Sequence, residues 1–139
     1  MRTPLPKGYE LKINTDSSQV GIIIGDVIGE GGCCISYKGE MLMEPHLPVI
    51  VKECFPLNLP IERRLILNSA DKDDYSLIFE NEEQEGREKE RFDARKDMFK
   101  RGILHNASLS RLNETNELFA VGKANNTCYS FSIYSKGEG

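Results

Sequence analysis

Ile28-Gly29-Glu30-Gly31-Gly32-Cys33-Cys34-Ile35-Ser36-Tyr37, followed after a loop by Val49-Ile50-Val51-Lys52-Glu53, is the stretch on which the reading of the fold turns. Val20 to Ile28 is rich in Ile and Val and runs into the glycines, so it reads as a strand entering a turn, with Cys34 to Lys38 as the returning strand. Pro48 to Cys54 reads as a third strand, β-branched apart from Lys52, and Pro56 and Pro60 stop it. A glycine turn lets backbone N–H groups close over phosphates without interference from Cβ, and a lysine on the next strand can reach those phosphates as a point charge. Together the two segments describe half a nucleotide site. No G-K-[ST] follows the glycines, which excludes a P-loop, and a strand rather than a helix follows the turn, which excludes a dinucleotide fingerprint.

Outward from this stretch, residues 1–19 carry Pro4, Pro6, Gly8 and Thr15-Asp16-Ser17-Ser18 and read as an irregular leader, with a short strand at Tyr9 to Ile13. The ordered domain is expected to begin near Val20. Residues 57–78 hold no sustained period apart from a short strand at Leu65 to Leu67, and read as a connection. Glu80 to Arg101 reads as a helix, with Phe92, Arg95 or Lys96, Phe99 and Ile103 on one face and Gly102 in the place of a C-terminal cap. Its acidic start and basic end suit the helix dipole. Glu117 to Lys123 and Cys128 to Tyr134 are apolar runs around Ala124-Asn125-Asn126-Thr127, a hairpin signal. The fold class expected is α+β, a five-stranded antiparallel twisted sheet with one long helix packed across it.

The glycine stretch resembles the loop of bacterial Ser/Thr protein kinases, many of which read G-x-G-G-F-G-I-T-Y. Val51-Lys52-Glu53-Cys54-Phe55-Pro56 resembles their I-K-E-Y-F-P segment, and Asn126-Thr127-Cys128-Tyr129-Ser130-Phe131 resembles their fifth strand, often N-G-T-x-Y-x-V. The resemblance covers residues 20–139. It implies a protein kinase N-terminal lobe over those residues, with 1–19 as a leader and the C-terminal lobe absent. It also implies that Ile28 lids the adenine, that Gly29, Glu30, Gly31 and Gly32 cover the phosphates, and that Lys52 holds them. Ile50 would stand against the adenine and Ser132 at the gatekeeper position, with Ile133, Tyr134 and Ser135 forming the hinge. The cofactor implied is ATP with Mg in the intact protein, with no cofactor required for folding. Nothing resembles H-R-D-x-x-x-x-N or D-F-G, so the catalytic base and the metal-holding residues are missing and these residues alone should not transfer phosphate. Protein substrate would bind through the missing lobe, and the lobe face left exposed would favour self-association.

The pattern also departs from that family. Cys34 occupies the third glycine position, Cys33 replaces an aromatic at the loop tip, and Ile50 stands where an alanine normally leaves room for adenine. The helix should supply a glutamate to Lys52, yet the alignments place Arg95 or Lys96 there. Glu88, one turn before Phe92 on the same face, is the candidate partner. Three function classes therefore stand: the ATP-binding half of a Ser/Thr kinase; a pseudokinase or scaffolding module with a degenerate nucleotide site; and an unrelated domain with a coincidental glycine hairpin. The last survives only if the strand holding Lys52 does not lie beside that hairpin.

Composition narrows the partners. With 39% apolar and 29% charged residues and a net charge of −4, the chain has an ordinary globular make-up and no electrostatic footprint for nucleic acid. No apolar run is long enough to span a membrane and the opening Met1 to Pro6 lacks a secretory core, so the chain reads as cytoplasmic. The cysteines at 33, 34, 54 and 128 form no C-x-x-C and the chain has two histidines, which suggests neither a zinc site nor a disulfide framework.

Overall fold

The computed structural model describes residues 2–65, 75–112 and 119–133. The strands are β1 (Glu10–Asn14), β2 (Gln19–Glu30), β3 (Cys34–Met41), β4 (Pro48–Cys54), β5 (Ile61–Leu65) and β6 (Tyr75–Phe79). The helix α1 (Glu82–Leu112) follows, then β7 (Phe119–Ala124) and β8 (Thr127–Ile133). Six strands close into an antiparallel barrel in the order β1-β2-β3-β4-β8-β7, and β5 and β6 form a separate hairpin.

This corrects the expected open five-stranded twisted sheet. The sixth strand is β1, one residue on from the short strand expected at Tyr9 to Ile13 within the leader, and it joins the sheet that was expected to begin only near Val20. Leu11 and Ile13 alternate inward between the exposed Glu10, Lys12 and Asn14, and all five residues of β1 pair with β2. Closure rests on one pair, Asn14 with Lys123, where the backbones of β1 and β7 come together. Gly122 makes this approach feasible, because a Cβ there would lie 2.5 Å from both the Asn14 carbonyl oxygen and Ile13 Cγ2. Such an approach joins residues more than a hundred positions apart, and no local pattern announces it. The 12-residue β2 can follow the barrel wall because its pairing with β3 slips twice, between Ile24 and Val27 and between Val27 and Gly29.

The pairing of β5 with β6 was also unforeseen: the sequence offered a short strand at Leu65 to Leu67, of which Leu65 ends β5 and Ile66 and Leu67 lie outside the described residues. The hairpin's sequence does not alternate, and it is placed by long-range bonds instead. Leu77 N donates to Asn125 O at 2.9 Å and Asn126 Nδ2 donates to Leu77 O at 2.7 Å, docking β6 on the β7–β8 turn. That turn has Asn125 and Asn126 at φ 47° and 61°, the left-handed pair that a two-residue hairpin demands.

The helix α1 begins two residues after the expected Glu80, where Asn81 Oδ1 accepts from Gln84 N at 2.9 Å as an N-cap, and Glu82, Glu83 and Glu85 occupy the first turn. The helix does not stop at Gly102. No positive φ occurs there, and the residues beyond it, Ile103-Leu104-His105-Asn106-Ala107, contain no proline. One interior glycine costs only about 1 kcal/mol, too little to end a helix whose neighbours continue it. Phe92 is the apolar α1 side chain fully buried among those described, edge-on to Phe79 at 5.9 Å. Lys96 Nζ lies 4.3 Å from the Phe92 ring centre, and Arg95, Lys96 and Phe99 are half-buried.

One end of the barrel is filled by a polar hub. Glu53 is fully buried, and its carboxylate accepts from Tyr37 Oη at 2.7 Å, from Arg63 Nη2 at 2.5 Å and from Tyr129 Oη. Tyr129 stands directly across from Glu53 on β8, and Tyr37 lies on the diagonal on β3. Arg63 spends its other donors on Thr3 O at 2.7 Å and Tyr75 O at 3.0 Å, and Asn125 Nδ2 donates to Tyr129 Oη at 2.9 Å. Burial pulls the Arg63 guanidinium down, but the Glu53 carboxylate more than offsets it, so the guanidinium is held charged.

Arg63→Ala leaves a buried carboxylate unpaired and should lower unfolding free energy by about 3–5 kcal/mol in urea titration. Burial first, and then the adjacent Glu53 carboxylate, push the Tyr37 and Tyr129 phenols above their ordinary value of 10.0. The folded phenols thus keep their protons at higher pH than the unfolded ones. Their contribution to stability is complete below about pH 10 and is lost as pH rises beyond it. Tyrosinate absorbance from these two residues should appear together with loss of the barrel's circular dichroism. Smooth titration of all five tyrosines ahead of unfolding would contradict the hub.

Candidate functional site

The lysine strand does lie beside the glycine hairpin. β4 pairs with β3 from Cys34↔Cys54 to Glu40↔Pro48, which sets Lys52 opposite Ser36, and its other edge pairs with β8, which sets Lys52 opposite Ser130. Cross-strand partners share a face, so Lys52, Ser36 and Ser130 lie on one side of the sheet, Lys52 exposed, Ser36 half-buried and Ser130 buried, with Ile50 and Ser132 paired one row along. That adjacency meets the condition set for a kinase-like arrangement, while the closed six-stranded barrel departs from the open five-stranded sheet of a kinase lobe, so strand order alone does not choose between the readings.

Ile28 is 47% exposed at the end of β2, and Glu30, Gly31 and Gly32 are exposed at the hairpin tip. Gly29, Gly31 and Gly32 have no positive φ, and a Cβ on any of them would meet nothing within 4 Å. Neither backbone conformation nor internal packing asks for glycine there, while its flexibility carries an entropic cost. Glycine at these positions keeps the outer side of the hairpin open to close approach from outside. The tip is closed by Gly31 N donating to Cys34 O at 2.9 Å. It is also stitched to the chain after β4, by Phe55 N to Cys33 O and Leu57 N to Gly32 O, each at 2.9 Å.

Three cations from three elements surround this hairpin. Lys52 is exposed on β4, and no carboxylate pairs with it among the described residues. Arg95 from α1 reaches the tip, with Nη1 3.7 Å from Cys33 Sγ. Arg2 reaches the base, with Nη2 3.6 Å from Glu30 Oε1. Burial pushes the Cys34 thiol up, and the charges of Lys52 and Arg2 oppose the rise. Cys54, directly across from Cys34, is buried and pushed up to about 12, mainly by desolvation. All four thiols are free, and Cys33 is the exposed one.

Glu88 does not serve as the lysine's partner: its carboxylate accepts from Arg91 Nη1 at 2.8 Å on the same helix. Ser132 and Ile133 are half-buried at the end of β8, while Tyr134 and Ser135 lie outside the described residues. Sequence reading missed Ser36 and Ser130 flanking Lys52, although strand alternation and a register would have found them. It also missed Arg2, which no local pattern ties to the hairpin. A cavity of about 450 Å³ lies elsewhere, between α1 and the β7–β8 turn. It is lined by Asp93, Lys96, Asp97 and Lys100, and both aspartates are already engaged by basic neighbours on the helix.

No family model, no curated protein and no solved structure matches the chain. Among the described residues no helix is long and apolar enough to cross a membrane, and no group of three His, Cys, Asp or Glu stands ready to hold a metal ion.

The exposure difference among the thiols gives a direct check on the hairpin. Cys33 should react with a soluble disulfide reagent at least about tenfold faster than Cys54, whose buried thiol is also the poorer nucleophile. Equal rates, read by mass spectrometry of labelled peptides, would mean the hairpin does not sit as described.

Proposed function

We propose that this chain binds the polyphosphate of a nucleoside triphosphate beneath the glycine hairpin, as the ATP-binding part of a cytoplasmic Ser/Thr protein kinase. The observation that carries the reading is the placing of Lys52 and Arg95 beside a hairpin whose glycines no internal contact requires, with Arg2 neutralising Glu30 at its base. Cations on several elements, facing a turn with open backbone, form an arrangement suited to a multiply charged anion. Ile28 and Ile50 supply apolar surface beside it for the base, and Ser132 and Ile133 end the adjoining strand.

Lys52 holds the phosphates in this reading, and Arg95 takes the place where a kinase helix carries its glutamate. The described residues bring no carboxylate pair to the site. A Mg ion accompanying the nucleotide would therefore be carried on the phosphates and by residues beyond those described. Transfer of the γ-phosphate to protein Ser/Thr needs a base that this sequence lacks, so the step, and the docking of protein substrate, belong to other parts of an intact enzyme.

A second reading is favoured by one specific observation. Glu88 is engaged with Arg91 and a cation faces the hairpin instead of a carboxylate, which suits a nucleotide-binding scaffold that transfers nothing.

Calorimetric titration of Mg-ATP and Mg-ADP into the chain, with Lys52→Ala as the comparison, tests the proposal. Wild type should bind, and the variant should lose about tenfold or more in affinity, the worth of one charge-assisted contact. Lys52 is exposed, so its removal should leave the thermal midpoint unchanged. Affinity indifferent to Lys52→Ala would sink the assignment. In the intact protein, phosphorylation of a Ser/Thr peptide that requires Lys52 separates the kinase from the scaffold.

A further inference from the structure

The glycine hairpin is held at its base by the first residues of the chain. Arg2 has a side chain 9% exposed, and Nη1 donates to Phe55 O at 2.9 Å while Nη2 faces Glu30 at 3.6 Å. Its guanidinium also lies over the Phe55 ring at 6.0 Å, and Nε is buried with no hydrogen-bond partner among the described residues. Arg2 thus joins the two edges that define the hairpin. Glu30 ends β2, and Phe55 is the residue whose N–H holds Cys33 O on the returning side.

Arg2 is itself held at several points. Thr3 O accepts from Arg63 Nε at 2.7 Å, and Leu5 N donates to Tyr37 Oη at 3.0 Å. Leu5 is 3% exposed within the core, and Gly8 N donates to Ile24 O at 2.7 Å. Both side chains that hold residues 3 and 5 belong to the Glu53 hub. The path from the hub to the hairpin therefore runs through residues 2–8.

We propose that residues 2–8 form a brace, with Arg2 as its positioning residue, that sets the resting place of the glycine hairpin. The inference rests on the nucleotide reading in one respect only: the ligand whose binding the brace tunes. Glu30 is the one charged side chain between the glycines, and an unneutralised carboxylate there would repel a polyphosphate. Arg2 offsets that charge as well as tying the loop down. Anything that detaches or covers the first eight residues would loosen the hairpin and weaken the site together.

Hydrogen exchange of the full chain, read by mass spectrometry without nucleotide, decides the brace. Arg2→Gln should raise exchange in peptides spanning 29–34 and 55–57 by about tenfold, the loss expected for one charge-assisted hydrogen bond. Peptides from β7 and β8 should stay as in wild type, and Arg2→Lys, which keeps the charge, should fall between. Unchanged exchange at 29–34, or an equal rise in every strand, would overturn the proposal, the second outcome making Arg2 a general support of the fold. Mg-ATP titration then reads the link to the ligand. Affinity should fall in Arg2→Gln and recover in part when Glu30→Gln is added. Affinity unmoved by Arg2→Gln, in a protein where Lys52→Ala weakens binding, would overturn that link. Binding indifferent to Lys52→Ala fails the nucleotide reading alone and leaves the exchange result standing for the brace.

Discussion

The pairing of Glu53 with Arg63 inside the barrel end is the constraint to which the other parts answer. Taking a carboxylate and a guanidinium out of water costs several kcal/mol for each, and the attraction between them recovers this only if the remaining donors and acceptors are also used. Here they are. Both Glu53 oxygens are occupied, by Tyr37, Arg63 and Tyr129, and the Arg63 nitrogens are spread over Glu53, Thr3 and Tyr75. The requirement of full satisfaction brings the leader segment, β3, β4, β5, β6 and β8 to one point. A hub of this kind is a better guide to the specificity of the arrangement than to its stability.

The hub also decides which way the candidate site faces. Along a strand successive side chains alternate, so a Glu53 locked into the barrel forces Lys52 outward, beside Ser36 and Ser130. The Val51-Lys52-Glu53 run looked in sequence like an apolar strand interrupted by a charge. In the fold it is an inward valine and glutamate with an outward lysine between them. Glu53, next to Lys52 in the chain, is thus the residue that orients it, a role that inspection of the motif did not suggest.

Stability and openness are divided along the same chain. The barrel leaves no free sheet edge among its strands, since β1 and β7 meet at Asn14 and Lys123, and its wall is pinned by the hub. The glycine hairpin projects from this wall with an exposed tip, held by backbone hydrogen bonds to the chain after β4 and by Arg2 at its base, and α1 lies over the outer face on a single buried aromatic among its described side chains.

Local pattern in the sequence was enough for the glycine hairpin, for β4 between Pro48 and Cys54, for the start of α1 to within two residues, and for the Asn125-Asn126 turn. Each of these is encoded within a few neighbouring residues, by alternation, by a cap or by the need for left-handed backbone. The extent of α1 past Gly102, the β5–β6 hairpin, the closure of the sheet and the brace from Arg2 were decided by tertiary structure. Tyr129 reaches Glu53 across 76 residues and Arg2 reaches Phe55 across 53, and such partners are chosen by the shape of the closed barrel. A hydrogen bond or ion pair leaves no periodic trace in either segment it joins. Sequence alone could therefore name Lys52 and the glycines as a candidate site, while the cations that complete it and the hub that aims it appear only once the chain has closed on itself.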